Sequence, residues 1–204
     1  MPDKTKFSSD TDIEILSRET CLDSFLQVDA LVLKHRLFEG GWSEPLSREL
    51  LVKTPAVGVL LHDPDQSQLV MIKQFRVGMF DSEESPWPLE LVAGLIDKDE
   101  SPEEVALREV EEETGLQASG LTRICEYYNS PGASTERVTL FFAQVDAKKA
   151  GGVHGLDNEN EDILVQVLSE SEAKEAISSG LINNAMSLIA LQWFFLQRES
   201  GNAN

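Results

Sequence analysis

Glutamates crowd the segment from Pro102 to Leu116, where six of them accompany one cation, Arg108. Glu112 and Glu113 follow Glu109 at the i+3 and i+4 spacings, which place the three carboxylates on one side of a helix. Each like-charge pair at these spacings costs about 0.2–0.5 kcal/mol. Carboxylates clustered in this way are typical ligands for hard cations such as Mg²⁺ or Mn²⁺. A solvated acidic face is the alternative that the helix alone leaves open.

The same segment carries the signals that begin and end a helix. Ser101 suits the N-cap position, Pro102 suits the first helical position, and Glu104 completes a capping box. Gly115 suits the left-handed residue that follows a helix. We therefore expect one helix between Ser101 and Gly115, with the clustered glutamates in its second half, where the helix dipole disfavours them.

Residues at fixed spacings also occur before this helix. Residues 94–116 fit the pattern G-x5-E-x7-R-E-U-x-E-E-x-G-U, where U is bulky and apolar. Its seven fixed positions are filled by Gly94, Glu100, Arg108, Glu109, Glu112, Glu113 and Gly115. The segment resembles the Nudix box. The chain is therefore similar to the Nudix hydrolases, which cleave a nucleoside diphosphate linked to another moiety.

The resemblance implies a metal site. Glu109 and Glu113 would be the principal metal ligands, and Glu112 would bind or support the same ions. The backbone carbonyl of Ala93 would be a further ligand. We expect about two or three Mg²⁺ ions per site, with Mn²⁺ as a substitute.

Four further box residues would support this site. Arg108 would orient the carboxylates by bidentate contact. Glu100 would anchor the loop before the helix to the helix itself. Gly94 and Gly115 would have structural roles.

Segments outside the box narrow the resemblance to one branch of the family. Those that resemble the ADP-ribose pyrophosphatase branch are residues 74–76, 90–94, 130–132, 154–162 and 184–193. The resemblance covers residues from about Ile13 to Trp193. It implies hydrolysis of ADP-ribose to AMP and ribose 5-phosphate. It also implies a homodimer with exchanged N-terminal sheets, in which both subunits contribute to each active site.

A glutamate on the loop before the last strand would be the catalytic base by the same resemblance. The matching residue is Glu159, and its metal-binding partner on the loop would be Glu161. An acidic residue on a glycine-flanked loop can move towards the attacking water after the substrate binds. A merely solvated acidic loop is the alternative.

Substrate contacts follow from the resemblance as well. Arg76 would contact the diphosphate. The residues matched to the adenine end are Phe25, Leu26, Arg48, Glu49 and Lys53, and those that would line the pocket are Leu95, Ser130, Pro131, Gly132 and Glu136. Lys53 occupies a position at which the branch has arginine. Lysine lacks the planar guanidinium, so a bidentate contact at this position is in doubt. The alternative for Arg48 and Arg76 is a surface ion pair, and for Phe25 it is core packing.

Alternating apolar residues predict strands on both sides of the box helix. We predict strands over 11–20, 28–38, 47–53, 56–62, 69–75, 89–93, 121–129, 138–146 and 163–168, and helices over 171–178 and 184–197. Strands interleaved with two or three helices indicate the α/β class, with a mixed sheet between helices. This agrees with the α/β/α sandwich that the resemblance implies.

We set a domain boundary near Thr54-Pro55. Residues 1–54 would form a small N-terminal antiparallel β-sheet domain for dimerisation and substrate contacts. Residues 55–204 would form the Nudix hydrolase domain.

The composition limits the partners. The chain has 204 residues, with 17 basic and 36 acidic side chains and a net charge of −19. This charge repels nucleic acids and anionic membranes, so we expect neither as a partner. No apolar run reaches the length of a membrane span, and the first residues are not a signal peptide. Cys21 and Cys125 lie far apart in strand-like runs, so we expect buried, reduced thiols in a cytoplasmic protein.

Two other functions stay open. A related hydrolase of another nucleoside diphosphate sugar, such as GDP-mannose, would carry the same box, because the box recognises only metal and diphosphate. A non-catalytic Nudix module that senses ADP-ribose should show a degraded box and an added basic DNA-binding domain. Neither feature occurs in this sequence.

Overall fold

A computed structural model describes residues 6–97, 99–156 and 160–200. Its helices are α1 (Ser9–Asp12), α2 (Pro102–Thr114), α3 (Glu170–Ser178) and α4 (Ala185–Glu199). Its strands are β1 (Ile13–Asp23), β2 (Gln27–His35), β3 (Leu46–Val52), β4 (Ala56–Asp63), β5 (Gln68–Lys73), β6 (Leu89–Glu90), β7 (Val92–Leu95), β8 (Ser119–Tyr128), β9 (Arg137–Gln144), β10 (Val153–His154) and β11 (Ile163–Ser169). Single 3₁₀ turns cover Val77–Met79 and Ala147–Lys149.

The chain divides into two compact units. The first contains the residues up to Thr54 together with Tyr128–Glu136, and the second contains Pro55–Tyr127 and the residues from Arg137 onwards. The roles in dimerisation and substrate binding that we assign to the first unit stay predictions.

A three-stranded antiparallel sheet in the order β1-β2-β3 forms the first unit. All eleven residues of β1 are exposed in the single chain, including the apolar side chains of Ile13, Ile15, Leu16 and Leu22. A long exposed edge strand with this apolar content is typical of a surface that pairs with another protein. Cys21 lies in the same strand and is exposed, so our expectation of a buried thiol there was wrong.

The segment Tyr128–Glu136 joins the first unit through backbone hydrogen bonds to β3. The N–H of Leu51 donates to the carbonyl of Ala133 at 2.8 Å, and the N–H of Thr135 donates to the carbonyl of Leu51 at 3.0 Å. The N–H of Lys53 donates to Oγ1 of Thr135 at 2.8 Å. These bonds give the segment the pairing of a short parallel bridge.

An eight-stranded mixed sheet forms the second unit. Its order is β10-β11-β5-β4-β9-β8, with β6 paired to β5 and β7 paired to β4. The pair β4–β9 is parallel, while β4–β5, β5–β11 and β10–β11 are antiparallel. The expected mixed sheet is confirmed.

The strand that we predicted over 89–93 is two strands. Leu89 lies opposite Lys73 in β5, whereas Val92 lies opposite Val59 in β4. Leu91, between them, is fully buried. The chain therefore crosses from one neighbouring strand to the other at Leu91, and this crossing delivers Ala93 and Gly94 next to the central strand.

Helices cover both faces of this sheet. Every residue of β4 is buried, and its side chains alternate between two cores: Val57, Val59 and Leu61 lie in the core beneath α2, whereas Leu60 lies in the core beneath α3 and α4. This arrangement is the expected α/β/α sandwich. No helix within the described ranges is long and apolar enough to span a membrane.

A buried polar cluster links α3 and α4 to β4. His62 is 3% exposed, its Nε2 lies 3.0 Å from Oε1 of Glu170, and Arg198 forms an ion pair with the same oxygen. Burial lowers the pKa of His62. The Arg198 guanidinium also lies over the ring of Phe194 in the same helix, and that ring lies 4.9 Å from the ring of His62, which connects the C-terminal part of α4 to β4.

Candidate active site

Helix α2 begins and ends at the residues that the sequence indicated. Oγ of Ser101 accepts the N–H of Glu104, and the Glu104 carboxylate accepts the N–H of Ser101 at 2.8 Å. Gly115 has a φ of 68° and its N–H donates to the carbonyl of Glu111. These two ends set the helical register and therefore determine which glutamates face the sheet.

Arg108 connects three glutamates of the box. Its Nη1 donates to Glu109 and to Glu112, each at 2.8 Å, and its Nε and Nη2 contact the two oxygens of Glu100 at 3.3 and 3.2 Å. Burial alone would lower the pKa of Arg108, but the bond to Glu100 and the charge of Glu109 raise it above its usual range. The loop that carries Glu100 is thereby bound to the middle of α2.

Glu109 and Glu113 face β7. Oε2 of Glu113 accepts the N–H of Ala93 at 3.1 Å. A Cβ at Gly94 would lie 2.1 Å from Oε1 of Glu109, so only glycine leaves room for this carboxylate. The crossing at Leu91 thus brings the backbone of Ala93 and Gly94 directly against the two glutamates.

The electrostatics of this cluster are unfavourable for the bare carboxylates. Glu113 is 2% exposed, and burial raises its pKa well above the ordinary value, although the N–H of Ala93 and the charge of Arg76 act in the opposite direction. Burial likewise raises the pKa of Glu109, with Glu112 and Glu161 adding to the effect. A cation placed among these side chains would remove the penalty.

Glu161 acts on this cluster through its charge, although it lies far away in sequence. Its negative charge raises the pKa of both Glu109 and Glu113. Its carboxylate accepts the N–H of Leu156 at 3.3 Å, and its own N–H donates to the Leu156 carbonyl at 3.3 Å. Glu159, the predicted base, lies outside the described residues.

The donor set is rich in oxygen. Within the described ranges, no three His, Cys, Asp or Glu side chains converge into a ready-made metal cluster. Glu109, Glu112 and Glu113 each direct one oxygen to Arg108 or to the N–H of Ala93. A carboxylate has a second oxygen, so each side chain keeps an acceptor for a hard cation.

Arg76 is held on the face of the main sheet that carries α2, because its partner Glu90 pairs with Ile72, whose side chain lies in the core beneath α2. Its Nε donates to Oε2 of Glu90 at 2.6 Å. Glu90 was not among the residues that we predicted for the site. The signal that could have identified it is a single acid within the otherwise apolar run from Leu89 to Ala93.

The other predicted substrate residues lie mostly in the first unit. Phe25 is 96% exposed, so core packing is excluded for it in the single chain. Lys53 and Glu136 lie near each other, with Nζ and Oε1 3.9 Å apart, and Asn129 donates to Glu136 at 2.6 Å. Arg48 donates to the carbonyl of Ser47. The remaining predicted contacts are divided between the units. The first unit contains Leu26, Glu49, Ser130, Pro131 and Gly132, whereas the second contains Leu95.

Comparison with known proteins identifies the family. The NUDIX domain model matches residues 52–182. The chain belongs to the Nudix family. This confirms the resemblance found in the box.

Several named pyrophosphatases are similar to this chain over most of its length. The chain is 43% identical over 191 residues to an ADP-ribose pyrophosphatase from Haemophilus influenzae, covering 92% of this chain and 88% of that protein. It is 41% identical to the ADP-ribose pyrophosphatase of Escherichia coli K12, covering 93% and 90%. A GDP-mannose pyrophosphatase from Cronobacter sakazakii is 35% identical, covering 71% and 75%.

A solved structure supports the fold. The crystal structure of an ADP compounds hydrolase superimposes with a TM-score of 0.73 at 23% identity, covering 95% of this chain and 98% of that one. At this identity the likeness bears on the fold alone.

The burial of Glu113 predicts a stability effect. The metal-free folded protein binds more protons than the unfolded chain between pH 4.5, the ordinary pKa of glutamate, and the raised pKa of Glu113. Its free energy of unfolding should therefore fall as the pH rises through that window. Glu113→Gln should weaken this dependence, leaving the part that the raised pKa of Glu109 contributes, and should unfold in urea at pH 8 with a free energy higher by on the order of 1–3 kcal/mol.

Glu111→Gln is the matched control, because Glu111 lies on the exposed side of the same helix. Its urea unfolding in chelator should follow that of the unchanged protein at every pH. A Glu113→Gln protein less stable than the unchanged protein at pH 8 would contradict the account of the cluster.

Proposed function

We propose that this protein is a Mg²⁺-dependent hydrolase that cleaves the diphosphate of ADP-ribose into AMP and ribose 5-phosphate. The observation that carries the proposal is the placement of Glu109 and Glu113 against the backbone of Ala93 and Gly94, with the charge of Glu161 acting on both carboxylates. The similarity to ADP-ribose pyrophosphatases over about nine-tenths of the chain supports the choice of substrate.

The residues present fit a divalent cation. The donors are carboxylate oxygens and a backbone carbonyl, which suit Mg²⁺ or Mn²⁺ better than Zn²⁺. Burial makes the charged forms of Glu109 and Glu113 costly, and a bound cation offsets that cost. We assign Glu109, Glu113 and the Ala93 carbonyl as principal ligands, with Glu112 and Glu161 as further ones. When bound, about two or three such ions would neutralise the charge of the diphosphate.

The reaction is attack of water on one phosphorus of the diphosphate, with cleavage of the bridging P–O bond. Glu159 would accept the proton of the attacking water. Arg76 would hold the diphosphate in place through its guanidinium. Arg108 contacts Glu109 and Glu112 directly, so its role is to hold these carboxylates in position.

The first unit would supply the adenine contacts. Phe25 offers an exposed aromatic ring for stacking on a base, and Lys53 and Glu136 offer polar groups close together. The exposed apolar side chains of β1 support a homodimer in which the N-terminal sheets are exchanged. Each active site would then contain residues from both subunits.

One assay tests both metal and substrate. Excess chelator should abolish the hydrolysis of ADP-ribose, and Mg²⁺ or Mn²⁺ should restore it, with AMP and ribose 5-phosphate identified by chromatography. Glu109→Gln should lower the rate by orders of magnitude, whereas Glu111→Gln should not. Full turnover in excess chelator would contradict metal dependence. Faster turnover of GDP-mannose than of ADP-ribose would favour the alternative substrate.

The two loop glutamates are distinguished by which kinetic parameter changes. Glu159→Gln should lower kcat by ~10²–10⁴-fold, the usual contribution of a general base, with little change in KM or in the Mg²⁺ requirement. Glu161→Gln should instead raise the Mg²⁺ concentration needed for half-maximal rate. A Glu159→Gln enzyme with nearly unchanged kcat at saturating Mg²⁺ would mean that the base lies elsewhere, with Glu112 or Glu161 as the next candidate.

The dimer is tested by sedimentation. The protein should sediment with twice the mass of one chain, and Ile15→Glu should shift it towards the monomer and raise the KM for ADP-ribose, because a charge would enter the apolar surface of β1. Glu19→Gln, on the same exposed strand, is the matched control and should change neither property. A monomeric unchanged protein with normal KM would contradict an active site shared between subunits.

A further inference from the structure

Glu90 is an acidic residue whose carboxylate contacts Arg76, the residue that we predict to bind the diphosphate. We propose that Glu90 is a positioning residue that orients the Arg76 guanidinium towards the substrate diphosphate. The proposal rests on the function proposed above, in which Arg76 contacts the diphosphate. It assigns to Glu90 a role in substrate binding that is exerted entirely through Arg76.

The backbone of Arg76 is fixed before its side chain is considered. Arg76 follows the end of β5 by three residues, and its N–H donates to the carbonyl of Pro86 at 2.8 Å. The neighbouring rings of Phe75 and Trp87 lie with their centroids 5.4 Å apart. These two contacts connect the segment that leaves β5 to the segment that enters β6, so the position of the Arg76 Cα is determined by both.

The side chain of Arg76 is fixed by Glu90. Glu90 lies in β6 opposite Ile72 of β5, and its side chain is 16% exposed, compared with 41% for Arg76. The 2.6 Å contact from Nε is a short, charge-assisted hydrogen bond. An arginine carries five N–H donors, and the Nε contact uses one. The planar guanidinium is then held by one edge. Among the described residues, none accepts a hydrogen bond from its terminal nitrogens, which suits both to phosphate oxygens.

Charge alone does not explain an acid at this position. A carboxylate near a diphosphate repels the diphosphate. The carboxylate also neutralises part of the Arg76 charge that would attract the diphosphate. Stability does not explain it either, because a partly exposed ion pair contributes little to folding. Orientation is the contribution that remains, since fixing a long side chain before binding reduces the entropy lost when substrate binds.

The orientation has a direction within the site. Glu90 pairs with Ile72, whose side chain lies in the core beneath α2, so the Glu90 carboxylate and the guanidinium that it holds lie on the face of the sheet that carries the box helix. An arginine held there faces the region in which the diphosphate would lie between the cations and the protein. Glu90 therefore serves the same reaction as the box although it lies outside the box.

A double-mutant cycle with a conservative variant tests this role. The dissociation constant for ADP-ribose is measured by calorimetry without metal, and KM and kcat are measured with Mg²⁺. Glu90→Ala should weaken binding and raise KM by about 3–10-fold, with kcat changed by less than about twofold. Glu90→Gln keeps an oxygen that accepts the Nε–H, so it should restore most of the affinity.

The cycle is completed in the Arg76→Ala background. There, Glu90→Ala should have no further effect on binding, because its effect is exerted through Arg76. Glu83→Ala is the control for charge, since Glu83 is an exposed acid in the loop before β6, and it should leave KM unchanged. The melting temperature of Glu90→Ala should stay close to that of the unchanged protein.

Three outcomes would overturn the proposal: unchanged affinity in Glu90→Ala, an equal loss in Glu90→Gln, or a full effect of Glu90→Ala without Arg76. Failure of the proposed substrate is recognised separately, because the unchanged protein would then neither bind nor hydrolyse ADP-ribose. The cycle would in that case be measured with the nucleoside diphosphate sugar that the substrate panel identifies, since the proposal concerns the diphosphate that all of them share.

Discussion

The carboxylates of α2 and Glu161 repel one another, and the other contacts of the site offset this repulsion in part. Arg108 offsets part of it by contacting Glu100, Glu109 and Glu112 at once. The backbone of β7 offsets another part through the N–H of Ala93. Neither donor removes the free-energy cost of burying the charged form of Glu113. Burial, together with the charges of Glu109 and Glu161, still raises the pKa of Glu113. We propose that the helix tolerates this cost because its glutamates hold a cation, a compromise often found at functional sites.

The parts of this arrangement that depend on local chemistry were predictable. The capping box at Ser101 and the left-handed Gly115 set the limits of α2, because each acts within a few residues. The period-2 burial of β4 follows from helices on both faces of the sheet. The interruption at Leu91 was not predictable, because the run from Leu89 to Ala93 is apolar apart from Glu90 and reads as one strand. The crossing depends on which neighbouring strand offers free backbone groups, and that is a property of the whole sheet.

Long-range pairing limits what sequence can show about the site. The bonds between Leu51 and the segment Tyr128–Glu136 join residues about eighty positions apart, and no local pattern indicates them. The contact between Arg76 and Glu90 depends on the pairing of β5 with β6, which requires the structure. The exposure of Cys21 was missed for a related reason. Alternating apolar and polar residues predict that a strand has a buried face. They do not indicate whether the same chain or a second one covers that face.

The net charge of −19 creates a further demand on the site, because a diphosphate is repelled by the protein as a whole. At physiological ionic strength this field is screened beyond about 8 Å, so recognition must depend on nearby groups. The arginine and lysine proposed to contact substrate are themselves close to acids, Arg76 to Glu90 and Lys53 to Glu136. Their charges are partly neutralised, which suits them to orient a substrate more than to attract it. If α2 holds cations as we propose, they supply most of the positive charge that the diphosphate requires. Clustered glutamates, which alone would repel the substrate, are then compatible with binding it.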